Sequence, residues 1–175
     1  MMKTSSPFYR TCNLLSLSQG DGIVTTYEDL LAEADSNGLT TKEKALPVSK
    51  GRIKGDRIAI SKDMTETEKR CIMAEELGHY YTGTGDILDQ SSVSNRKQEL
   101  HGRVHAYDRL VGLTGIIMAH KNHCHNLSET AEFLDVTEEF LSEALDYYKA
   151  KYGKGAYIDN YVVYFEPYLG VLELS

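Results

Sequence analysis

Cysteine is scarce in this chain. The three present, Cys12, Cys71 and Cys124, are odd in number and irregularly spaced, which excludes a disulfide framework and a four-cysteine zinc knuckle. Such thiol usage suits a reducing cytoplasm. Long apolar runs are also lacking: the longest, Leu110 to Ala119, falls short of the about 20 residues a membrane-spanning helix needs. The short apolar patch at Leu14 to Leu17 is well below a signal-peptide core. The expectation is a cytoplasmic protein, neither secreted nor membrane-embedded. Positive charge is in deficit, since Lys+Arg 19 against Asp+Glu 26 leaves a net charge of -7. Phosphate binding depends on basic side chains, so nucleic acid is not expected as a direct partner. The basic stretch from Lys42 to Arg57 reads as a solvated hairpin face.

What is present points to a globular domain, because 41% hydrophobic content over 175 residues is enough for a real core. The polar start has no sustained period, so residues 1–24 are expected to be a loosely ordered extension and 25–175 a single domain. Deleting residues 1–22 is therefore expected to leave the thermal midpoint nearly unchanged, and a large fall would refute this reading. Thr26 can cap a helix whose first turn carries Glu28 and Asp29 and which stops at Asn37-Gly38. Leu39 to Pro47 and Arg52 to Ser61 read as extended, the second with a Lys54-Gly55-Asp56 turn. A small antiparallel sheet is thus expected to cover one side of the next helix, or to offer an edge to an extended peptide.

That next helix organises the chain. Thr65 and Glu68 form a capping box, and Met73, Leu77 and Tyr80 recur as a buried stripe. Within it stands Glu75-Glu76-Leu77-Gly78-His79, in which residues four apart share one helical face, so Glu75 and His79 reach the same space with Glu76 beside them. In the histidine-first version of this spacing both flanking residues bind zinc, and the glutamate after the first takes a proton from metal-bound water. Gly78 costs about 1 kcal/mol of helix propensity against alanine, which close approach of another backbone or a metal site would explain.

A second long helix is expected from Asn95 to about His120, with Glu99 in its first turns. Its His101 and His105 read as exposed and packed respectively, because Glu99 and His101 fall on nearly opposite faces. The loop from His120 to His125 is rich in metal-capable side chains but fits no standard zinc spacing. Leu127 to Tyr148 has the outline of a helix-turn-helix, yet its second helix carries Glu138, Glu139, Glu143 and Asp146, the wrong sign for DNA. The acidic face is instead expected to dock a basic protein. Strands at Tyr157 to Phe165 and Leu169 to Leu174 close the domain, and Tyr80, Tyr81 and Tyr107 are candidates for an oxyanion donor.

Taken with SNRKQE, LSETAEFLDVTEEFLSEAL and the ending YVVYFEPYLGVLEL, the segment AEELGHYYTGTGDI resembles the ImmA/IrrE metallo-endopeptidases found beside phage and mobile-element repressors of Gram-positive bacteria. The resemblance covers about Thr26 to Leu174. It implies a zincin-like α+β fold, with a small antiparallel sheet on a helical core and a C-terminal helical pair and strands. It also implies a zinc peptidase that cleaves a helix-turn-helix repressor. Glu76 matches the catalytic glutamate, His79 the second histidine ligand and Glu99 the downstream glutamate ligand. The 20 residues from His79 to Glu99 agree with that assignment. The departure is Glu75, where the family has its first histidine. A carboxylate there can bind zinc, makes bound water less acidic, and accommodates manganese or iron as well. Asp86 is the alternative ligand, set against its reading as a turn residue. The rival to an enzyme is a relative that binds the repressor without cutting it.

Overall fold

A computed structural model describes residues 25–83 and 93–174. Helix α1 (Tyr27–Ser36) starts at the expected capping box, in which Thr26 and Asp29 bond each other's backbone N–H, and it buries Tyr27, Leu30 and Ala34. Strands β1 (Thr40–Lys44), β2 (Gly51–Lys54) and β3 (Arg57–Ser61) form a sheet of order β1-β3-β2. The β2–β3 hairpin is antiparallel and turns at Gly55, whose φ of 58° suits glycine, whereas β1 pairs with β3 in parallel. The sheet is thus mixed, because the hairpin folds back to place β3 against β1 and leaves β2 at the edge. Lys50 accepts a hydrogen bond from Ser61 at 2.8 Å. Alternation along an antiparallel pair then turns the backbone groups of Gly51 and Ile53 outward.

Helix α2 (Glu66–Thr82) runs through the centre of the domain, with α1 and the first sheet on one side and α3 (Val93–Leu110) on the other. Burial from two sides explains why Met73, Ala74 and Leu77 are wholly enclosed. Tyr80, expected in the buried stripe, is instead 37% exposed. The long second helix breaks at Gly112 (φ 53°), where α4 (Gly112–Lys121) begins. Helices α5 (Leu127–Leu134) and α6 (Glu138–Tyr152) make the C-terminal pair, joined through Asp135 in the left-handed conformation. Strands β4 (Gly155–Ile158), β5 (Tyr161–Tyr164) and β6 (Gly170–Glu173) form an antiparallel sheet that buries Ala156 and Val163. The architecture is the expected α+β fold. No helix among the described residues is long and apolar enough to cross a membrane.

Two ionic clamps hold α2 and α3 in place. Arg70, 2% exposed, donates to the carbonyls of Thr25, Leu134 and Asp135, and so joins α2 to the entry of α1 and the α5–α6 turn. Replacing it with methionine strands buried carbonyls without donors, and is expected to lower stability by about 3 kcal/mol in urea titrations. Glu33 of α1 accepts two hydrogen bonds from Arg109 of α3 and one from Tyr81 at 2.6 Å. The Arg109 bonds, opposed by burial and aided by Tyr81, hold the Glu33 carboxyl below its usual range. A depressed carboxylate stabilises fully above its unfolded pKa of about 4.3, and that stability is lost as pH falls through the folded value. Glu33→Gln should therefore lower the melting temperature at pH 7 and make little difference near pH 2.

Candidate active site

The site begins with two glycines. A Cβ on Gly78 would lie 2.2 Å from the carbonyl oxygen of Gly102, and one on Gly102 would lie 2.3 Å from His79 Nδ1. Only two facing glycines allow the α2 and α3 backbones this close, and the contact seats the buried His79 ring against α3. One turn before Gly102 on α3, Glu99 presents Oε2 at 3.6 Å from His79 Nε2. The other oxygen, Oε1, lies 3.5 Å from Arg103 Nε, and Arg103 Nη1 lies 3.6 Å from Glu143 Oε2 on α6. Tyr107 donates to that same Glu143 oxygen at 2.8 Å.

The paired glutamates of α2 have different surroundings. Glu76 is buried beside the edge strand, where a Cβ on Gly51 would come within 2.8 Å of its Oε1 and 2.2 Å of Ile72 Cγ2. Burial, and then the charge of Glu75, push its carboxyl up to about 8, with the Ile53 N–H acting in the opposite direction. Glu75 lines a cleft of about 150 Å³ with Arg103, Phe140 and Glu143. Burial raises it to about 7; Arg103 opposes the rise, and Glu143 and Glu99 add to it. Burial also depresses the His79 imidazole against the pull of Glu99. Carboxyls that titrate near neutrality and an imidazole kept neutral are what proton transfer and metal ligation require.

Among the predicted site residues, His79 and Glu99 are therefore brought together and Glu76 stands beside them. Glu75 occupies the adjoining cleft, and among the described residues no three His, Cys, Asp or Glu side chains stand close enough to hold a metal ion. Asp86 lies outside the described residues. The His79–Glu99 separation suits two donors sharing one ion through bonds of about 2.0–2.2 Å, and an imidazole with carboxylates suits zinc, manganese or iron. The His79–Glu99 pair fits part of the coordination shell of a divalent cation.

Two of the three candidate tyrosines are otherwise engaged. Tyr81 donates to Glu33 and Tyr107 to Glu143, while His105 packs its ring 5.3 Å from that of Tyr81 and His101 is exposed.

A family model described as Peptidase M78, IrrE N-terminal-like domain, matches residues 19–146. The chain belongs to this family. Membership makes it a peptidase-type protein of a metal-dependent class, with protein as the class of substrate. No curated protein and no solved structure matches it. The IrrE-like match takes in both glycines and every residue of the site, and it leaves β4, β5 and β6 outside. Arg103, Gly51 and Gly102 were not singled out from the sequence. A mid-helix glycine three residues after Glu99, facing Gly78, was the available signal for Gly102.

Proposed function

We propose that this IrrE-like protein is a cytoplasmic zinc endopeptidase that cleaves a helix-turn-helix repressor of a prophage or mobile element. The observation that carries this reading is His79 held against Glu99 by the Gly78–Gly102 contact, with buried Glu76 next in the same turn. His79, Glu99 and Glu75 would hold the ion. When bound, it supplies Lewis acidity to the scissile carbonyl and to a water. Glu76 takes the water's proton and passes it to the leaving amine, and burial keeps its basicity near that task. The outward edge of β2, beside Glu76, offers the Gly51 backbone groups and the Ile53 carbonyl to an extended substrate, while the Ile53 N–H is held by Glu76. On the acidic face, Glu143 is already engaged by Arg103 and Tyr107 and Glu139 is paired with Lys50, which leaves Glu138 and Asp146 foremost to meet a basic partner.

One observation favours the second reading, a protein that binds the repressor without cutting it: Glu75 lies in the cleft with Arg103 and Glu143, not with His79. Incubating purified protein with the repressor of its own element separates the two. Cleavage that zinc restores after chelation supports the peptidase, and an intact repressor captured by zinc-loaded protein supports the binder.

A further inference from the structure

We infer that Arg103 is a positioning residue which orients Glu99 and supplies the counter-charge that a glutamate at position 75 requires. The inference rests on the reading of Glu75, His79 and Glu99 as metal-holding residues.

Its first support is the division of the Glu99 carboxylate, with Oε2 at 3.6 Å from His79 and Oε1 at 3.5 Å from Arg103. A guanidinium this close to one oxygen attracts it by charge and so biases the other toward His79. Arg103 is itself held by Glu143, whose contacting oxygen also accepts from Tyr107. A continuous set of contacts thus runs from His79 on α2 through Glu99 and Arg103 on α3 to Glu143 on α6.

Charge is the second support. Among the described residues Glu99 and Glu143 already place carboxylates near Arg103, and Glu75, where a neutral histidine would add no charge, adds another. Lys50, the other cation lining the cleft, has 56% of its side chain exposed and is paired with Glu139 at 3.7 Å, so it is screened by water. Arg103 is the partly buried cation among these carboxylates, and Glu75 is foremost among the charges that favour its ionised form against burial. Its Nε is buried with no hydrogen-bond partner among the described residues. Leaving a donor unpaired is costly, so attraction to several carboxylates, rather than hydrogen-bond geometry, accounts for its placement.

Partners that orient metal-ligating carboxylates typically change affinity by about 10–100-fold when removed. The test is the zinc affinity of the full chain, by chelator competition, for wild type, Arg103→Met and Arg103→Lys, and for the same changes combined with Glu75→His. The visible spectra of the cobalt-loaded proteins report the coordination geometry. Arg103→Met should weaken zinc binding by about 10–100-fold and alter the cobalt spectrum. The loss should be clearly smaller with histidine at 75, because neighbouring sites couple. Zinc binding at or above the wild-type level in Arg103→Met, or an equal loss in both backgrounds, overturns the inference. Should the methionine variant fail to fold, Arg103→Lys decides: a smaller loss with an altered cobalt spectrum supports the inference, and unchanged affinity and spectrum overturn it. Wild-type protein that takes up no zinc overturns the metal reading itself, a failure distinct from zinc-binding wild type with an indifferent Arg103.

Discussion

Glu76→Gln is expected to lower repressor cleavage by about 10²–10⁴-fold, the range that a positioned general base contributes. Glutamine keeps the shape of the side chain and can still meet the Ile53 N–H, so folding and metal uptake should remain close to wild type. It cannot accept the water's proton. Single-turnover cleavage of the repressor, measured with the metal content of the same preparations, checks this. A variant that retains metal and cuts at the wild-type rate removes Glu76 from the chemistry. The burial that pushes this carboxyl up to about 8 also has a direction to test. The base is unprotonated above its folded pKa, so burial shifts Glu76 toward the neutral form in metal-free protein, and a bound cation nearby would favour the ionised form.

Gly102→Ala is expected to be among the most damaging small substitutions in the domain. The new methyl carbon would sit 2.3 Å from His79 Nδ1 and 2.6 Å from Cε1, distances that real Cβ atoms do not show. Either the His79 ring is expelled or α3 moves away from α2, and both separate His79 from Glu99. Overpacking a tight interior typically costs about 1–3 kcal/mol and sometimes more. Gly78→Ala strikes the same contact from the other helix, against the Gly102 backbone carbonyl, which cannot rotate aside as a side chain can. Chemical denaturation and zinc affinity should therefore fall together in both variants. Alanine has the higher helix propensity, by about 1 kcal/mol, so an unfolding curve shifted toward greater stability would show that the two helices are not packed this closely.

The capping boxes at Thr26 and Thr65 and the turns at Gly55 and Asp135 were all legible in the sequence, since each depends on a side chain or a φ value within a few residues. Gly112 is local in the same sense, but the apolar continuity from Leu110 to Ala119 concealed the break between α3 and α4. Tyr80 fits the buried period yet is exposed, because periodicity assigns a face to a helix without saying where its neighbours end. The parallel pairing of β1 with β3 was likewise out of reach, being decided by how the hairpin docks.

For the site, the spacing in the chain already put Glu75, Glu76 and His79 on one turn and nominated Glu99 from the second helix. The grouping on one turn needs only the helical period, whereas Glu99 is implied by the resemblance to the ImmA/IrrE peptidases. What required the tertiary structure was everything that depends on the gap between two helices. The facing of Gly78 and Gly102 sets the approach that seats His79, and Arg103, four residues past Glu99, meets Glu143 only because α6 packs there. Glu75 marks the boundary between the two. Its identity as a carboxylate in place of a histidine is plain in the chain, while its position in the cleft with Arg103 and Glu143 is set by burial and by charges that converge from distant residues. Local sequence determines which groups a turn of helix can present. Long-range packing determines what they face.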